Sequence, residues 1–179
     1  MKFDRLFLWV IGVIFIGGTT VASVIAMRTA PYDGDAAAAF TAKDYEVALV
    51  LWQDEALEGD GEALVHIGWL YENALGVFQD YAVAAESYRR AADQGVAAGQ
   101  ARLAQMYENG LGMEPDRDQA VALYTLAADH GNAFAQFKRG DMSQAGNAAQ
   151  RDYGEAAKWY RLSADQGYPN AQAKLAILY

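Results

Sequence analysis

No cysteine occurs in the 179 residues, which excludes disulfides, thiolate metal sites and a cysteine nucleophile together. Prolines number only three, and the shortage favours uninterrupted helices over turn-rich sheets. The two histidines, His66 and His130, stand in different helices without a repeating carboxylate pair nearby, so no metal site is expected. His130 precedes a glycine where neighbouring copies of the pattern have Gln94 and Gln166, a place where a cation complements a helix C-terminus. HExxH, GxSxG and P-loop patterns are absent as well. Asp54, Glu55 and Glu58 read as a solvated helix face rather than as acid–base carboxylates. No catalytic residue, cofactor or small-molecule substrate is expected.

Positive charge is scarce too. Lys2, Arg5 and Arg28 account for three of the 14 basic residues and Asp4 for one of the 23 acidic ones, so 11 basic residues face 22 acidic ones from Asp33 onward. A field that acidic repels nucleic acid and anionic lipid surfaces alike.

What is present is apolar and periodic. Hydrophobic residues make up 53% of the chain, enough for a packed core. Leu6 to Met27 is one uncharged stretch, with Lys2 and Arg5 before it and Arg28 after it. As a helix it spans about 33 Å, the thickness of a bilayer core. The charge bias keeps the amino terminus cytoplasmic and places the remainder on the far side. Two readings of residues 1–30 stand side by side. As a retained anchor, Gly18, Ala22 and Ala26 form a small-residue face for another transmembrane helix. As a cleaved signal, Val24 and Ala26 occupy the −3 and −1 positions of a small-residue cleavage region.

Residues 31–43 read as a linker at Asp33-Gly34 and a short leading helix, Asp35 to Lys43. Residues 44–179 then repeat without a gap every 36 residues, from Asp44, Asp80, Asp116 and Asp152. Every copy has alanine at Ala48, Ala84, Ala120 and Ala156, and again at Ala56, Ala92, Ala128 and Ala164. Each has an aromatic at Trp52, Tyr88, Tyr124 or Tyr160, and a glycine at Gly59, Gly95, Gly131 or Gly167. Aspartate is a good N-cap, and Gln119 or Glu155 three residues on suggests a capping box. The alanines face a close helix neighbour, and glycine ends the helix after about fourteen residues. A second helix follows, its buried stripe Ile67, Leu70 and Tyr71 matching Leu103, Met106 and Tyr107. Gly68, Ala104, Gly140 and Ala176 keep one position small. Gly110 and Gly112 belong to the turn between copies, and Asn170 to Tyr179 reads as a closing helix. The third copy departs from the pattern with Arg139, Ser143 and a loop, Gly146 to Ala149, that lacks the second glycine, which predicts a weakened or exposed spot.

LVHIGWLYENALG followed by DYAVAAESYRRAADQG, and ARLAQMYENGLG followed by DRDQAVALYTLAADHG, resemble the SEL-one-like repeat family, a relative of tetratricopeptide repeats. The resemblance covers about Asp44 to Tyr179. It implies an all-α, right-handed helix-turn-helix solenoid, here preceded by one transmembrane helix, and a role as adaptor or scaffold rather than enzyme.

On such a solenoid His66, Arg102, Lys138 and Lys174 fall at one repeat position and form a basic row, a candidate clamp for acidic groups of a partner. Trp69, Asn73, Gln105 and Asn109 lie near them on the same helices and are the next candidates. Tyr71, Tyr107 and the Trp52/Tyr88 column are expected in the core. The expectation is a bacterial inner-membrane protein whose solenoid binds another protein in the periplasm, for example as an accessory subunit of a membrane complex. The alternative is a cleaved, soluble periplasmic or secreted adaptor or effector, with no hydrolase activity expected because no nucleophile stands with a base.

Overall fold

The structure, a computed structural model, describes residues 30–145 and 151–178. Leu6 to Met27 with its Gly18, Ala22 and Ala26 face, the loop at 146–149, and Tyr179 lie outside the described residues. Among the described residues no helix is long and apolar enough to cross a membrane.

All regular structure described is helical, and it divides into two units at Leu51/Trp52. The first unit holds a single 3₁₀ turn, Ala30–Tyr32, and α1, Ala36–Thr41, shorter than the leading helix expected from the sequence. Asp35 caps α1 by accepting from the Ala38 amide at 2.9 Å. Helix α2, Tyr45–Leu57, carries the first copy of the repeat.

The second unit is a stack of helix pairs. It comprises α3 (Gly61–Glu72), α4 (Tyr81–Asp93), α5 (Ala97–Asn109), α6 (Arg117–Asp129), α7 (Ala133–Gln144), α8 (Tyr153–Asp165) and α9 (Pro169–Leu178). Each helix packs on the next in sequence, the tightest contacts being α3 on α4, α5 on α6 and α7 on α8. This is a helical repeat solenoid in which each copy touches chiefly its neighbours.

The repeat columns explain that packing. Ala84, Ala120 and Ala156 are buried to within 2% exposure, and Tyr88, Tyr124 and Tyr160 to within 1%, so the aromatic column is core as expected. Opposite each tyrosine stands the small position of the preceding helix. A Cβ on Gly68 would sit 2.6 Å from the Tyr88 ring, and one on Gly140 would press on Tyr160 in the same way. Tyr71 and Tyr107 are only half-buried and rim these clusters. The terminal glycines Gly59, Gly95, Gly131 and Gly167 all take left-handed backbone, as the sequence predicts.

The capping box does not form. Asp116 and Asp152 do cap α6 and α8, accepting from the amides of Gln119 at 3.0 Å and Glu155 at 2.8 Å. The reciprocal bond needs the cap residue's own N–H, and that donor already binds the preceding helix: Asp116 N to Tyr107 O at 3.0 Å, Asp152 N to Ser143 O at 2.9 Å. Glu155 turns instead to Trp159 Nε1 at 2.8 Å and Lys158 at 3.1 Å.

In the third copy both departing side chains find partners within the fold. Arg139, at the leucine position, lies half-buried with its guanidinium 4.5 Å from the Trp159 ring centroid. Ser143 Oγ closes back on the Arg139 carbonyl at 3.0 Å.

Candidate functional site

The basic row maps onto α3, α5, α7 and α9, one side chain per repeat. Each member follows an aromatic of the core column by fourteen residues, a spacing that carries it from one helix to the next and back over the ring. His66 stacks on Trp52 with centroids 4.3 Å apart and planes 13° from parallel. Lys138 Nζ lies 5.3 Å from the centroid of Tyr124.

The tyrosines also bind carboxylates. Tyr88 donates to Glu72 at 2.6 Å, and Tyr124 to Glu108 at 2.7 Å. Lys138 reaches Glu108 from the following repeat at 2.7 and 2.9 Å. Tyrosine, glutamate and lysine therefore form one hydrogen-bonded triad across three helices, α6, α5 and α7. In the next copy the acid's position holds Gln144, 3.2 Å from the Tyr160 hydroxyl. The charge has moved one turn back to Asp141, which accepts from Tyr160 at 2.8 Å and pairs with Lys174 at 3.6 Å. Arg102 faces Tyr88, where its charge is felt, and no carboxylate among the described residues is in ion-pair contact with it.

The electrostatics follow from this geometry. Burial, then the hydrogen bond and charge of the neighbouring carboxylate, push the hydroxyls of Tyr88, Tyr124 and Tyr160 well above the usual tyrosine range. Burial alone would raise the Glu108 carboxyl. Hydrogen bonds from Lys138 and Tyr124, with the charges of Lys138 and Arg117, outweigh it and hold the group below the ordinary carboxylate value. Lys138 and Lys174 thus already hold carboxylates of their own chain, while among the described residues none is in ion-pair contact with His66 or Arg102.

Burial of the His66 ring lowers its pKa, against the opposing charges of Glu62 and Asp60. The folded chain therefore favours neutral imidazole. Its contribution to stability is present above the unfolded value of about 6.5 and is lost as pH falls through the folded pKa. An NMR titration of the His66 ring protons is expected to give a midpoint below that of free histidine; a midpoint at or above it would mean that the ring is not desolvated enough to outweigh Glu62 and Asp60.

The second set of candidates is partly occupied by the helices themselves. Asn73 and Asn109 turn back onto their own turns, donating to Trp69 O at 2.8 Å and Gln105 O at 2.9 Å. Trp69 and Gln105 are half-buried, and Asn73 and Asn109 exposed. His130 does more than face a helix end: its Nδ1 lies 3.0 Å from Gln100 Oε1 of the preceding repeat. Gln166 makes the matching contact to Gln136 at 2.8 Å. Gln100 and Gln136 are buried and anchor their amides on the carbonyls of Ala92 and Ala128. Sequence reasoning missed this glutamine ladder and the carboxylates Glu72, Glu108 and Asp141. The recurrence of Glu72 at Glu108 was the available signal.

Comparison with known proteins finds the same 36-residue period, in a frame that starts at the second helix of each copy. Residues 61–96, 97–132 and 133–168 match the Sel1 repeat. The crystal structure of a Sel1 repeat protein from Oxalobacter formigenes is similar, with a TM-score of 0.73 and 33% identity over 80% of this chain and 57% of that one. A protective antigen present in uropathogenic Escherichia coli strains, displaying an SLR fold, is similar with a TM-score of 0.66 and 32% identity, over 85% of this chain and 35% of that one. The chain thus spans less than two thirds of either protein. No curated protein sequence matches it.

Proposed function

This chain belongs to the Sel1 repeat family, and from that premise we propose that it is a scaffold whose repeats bind another protein. The observation that carries the reading is the side-chain row laid across α3, α5, α7 and α9. His66, Arg102, Lys138 and Lys174 recur at one repeat position, with Trp69, Asn73, Gln105 and Asn109 beside them. A repeated surface of this kind offers extended recognition without a catalytic constellation.

In the finer reading, Leu6 to Met27 is a retained membrane anchor and the solenoid lies in the periplasm. Gly18, Ala22 and Ala26 then pack against an integral inner-membrane complex to which the chain is accessory. The small residues around Val24 and Ala26 support a second reading, a cleaved and soluble adaptor.

The test is purification from gently solubilised membranes through a tag after Tyr179, reading partners and the mature amino terminus by mass spectrometry. A stoichiometric membrane-protein partner with Leu6 to Met27 intact is the expected result. A chain starting near Met27 with a soluble partner would replace the anchor by the adaptor, and no stoichiometric partner would overturn the scaffold itself.

The basic row has its own check. Arg102→Glu with Lys138→Glu is expected to abolish binding of that partner while leaving far-UV helicity unchanged. Because Lys138 already pairs with Glu108, the control is the exchange Glu108→Lys with Lys138→Glu, which keeps an ion pair in place. Undiminished binding by the Arg102/Lys138 double variant would remove the row from the interface.

A further inference from the structure

The repeat supplies its own control for which surface residues the fold requires. The loops joining α3 to α4 and α5 to α6 share one hydrogen-bond frame. Leu75 N binds Leu70 O and Leu111 N binds Met106 O, both at 3.0 Å. Asp80 N binds Tyr71 O at 3.1 Å, and Asp116 N binds Tyr107 O at 3.0 Å. The two tips differ. At the position of Glu114 in the second loop, the first carries Phe78, 97% exposed. A charged residue at the equivalent position shows that this backbone needs no aromatic there, and a benzyl group left in water contributes nothing to the core.

The backbone on either side of Phe78 is hydrogen-bonded. The neighbouring Gln79 donates from Nε2 to Glu72 O at 2.9 Å and to the Tyr81 hydroxyl at 3.1 Å, and Ala74 and Gly76 fix the turn in left-handed backbone. A large apolar side chain on a loop already ordered by four hydrogen bonds meets a partner with little further loss of entropy. Its surroundings are acidic. Asp80 lies two residues on, and the second loop seats Gly112 against the Tyr81 backbone, bringing exposed Glu114 and Asp116 to the same edge.

We propose that Phe78 is the anchor of a protein-docking site on this loop edge, fitted to a partner that offers an apolar socket bordered by basic residues. The site rests on the scaffold reading and adds a contact away from the basic row. A protein socket suits it better than a lipid surface, because the carboxylates around the phenyl ring would be repelled by anionic headgroups.

The experiment places photo-reactive benzoylphenylalanine at position 78 of the full chain, and, as control, at position 129, exposed at the opposite end of α6, and irradiates the producing cells. A discrete protein adduct from position 78, absent from position 129, is expected. That partner, purified, is then titrated against the wild-type chain and against Phe78→Glu, which installs the residue found in the neighbouring loop. Affinity is expected to fall at least about tenfold, with an unchanged melting temperature. Both chains are also mixed with vesicles of phosphatidylcholine and phosphatidylglycerol.

Equal affinity of the two chains for a partner captured through the carboxy-terminal tag would overturn the Phe78 site and leave the scaffold standing. Adducts of the same pattern from both positions, a lowered melting temperature for Phe78→Glu, or vesicle binding that this substitution removes would each overturn it too. A full chain that captures no partner by either route would overturn both readings.

Discussion

Gly112→Ala is expected to destabilise the repeat unit by about 3 kcal/mol or more, whereas Gly131→Ala costs about 1 kcal/mol. Both glycines have positive φ, +71° and +88°. Both substitutions therefore carry the left-handed backbone penalty of an L side chain. What separates them is the space around the new methyl group. Around Gly131 nothing lies within 4 Å. At Gly112 the methyl would press on the Tyr81 carbonyl and lie 2.8 Å from the Ala82 nitrogen, in the first turn of α4. Those are backbone atoms, so no rotamer change relieves the clash, and the loop must lift from the neighbouring repeat. In a solenoid that contact is also the coupling between repeats, so its loss is expected to broaden the transition as well as lower its midpoint. Urea unfolding followed by far-UV circular dichroism gives both quantities. Equal losses for the two variants would mean that the loop is not seated on α4 as described.

The repeat made most of this fold legible before any coordinates. Aspartate caps, buried alanines, tyrosine core and terminal glycines each lie in a column, and each column has a local physical reason that a sequence displays. The contacts between columns were harder to read. Tyr124 meets Glu108 sixteen residues earlier and Lys138 fourteen residues later, separations that acquire meaning only when helices are stacked. The recurrence of Glu72 and Glu108 was visible, yet the third copy broke the column by moving its acid from position 144 to Asp141, and only the shared helix face reveals the equivalence. The capping box failed for the same reason, since a contact with another helix had claimed the donor that local pattern assigned to it. As for the candidate site, the four residues of the basic row do fall at equivalent positions of successive helices. The row's internal partners were not foreseen, and among the described residues they leave Arg102 and His66 as the members without a carboxylate in ion-pair contact. The anchor readings concern residues outside those described.

The tyrosine column provides the second large effect, because burial and hydrogen bonding can be separated there. Tyr124→Ala is expected to cost about 3–5 kcal/mol, the usual loss for a large aromatic removed from a core. Tyr124 is 1% exposed amid Ala104, Ala120 and Ala128, none of which can extend into the space left behind. Tyr124→Phe keeps the ring and removes only the bond to Glu108, for which about 1.5 kcal/mol is expected. Glu108 retains Lys138 and partial access to water, so this loss stays well below that of the alanine variant.

The hydroxyl leaves a signature in pH that the ring does not. Folding raises the pKa of Tyr88, Tyr124 and Tyr160 above the unfolded value of about 10, so the folded state holds protons that the unfolded state releases. Stability from this source is complete below pH of about 10 and is lost as pH rises toward the folded pKa values. An absorbance titration of tyrosinate is expected to show these three groups ionising only as the chain unfolds in alkali. Tyr124→Phe should make the alkaline fall in stability shallower by the equivalent of about one proton, while leaving the slope at neutral pH as it was. An unaltered alkaline slope, or early ionisation of all the tyrosines in the folded chain, would place the column's hydroxyls in water and dissolve the triads.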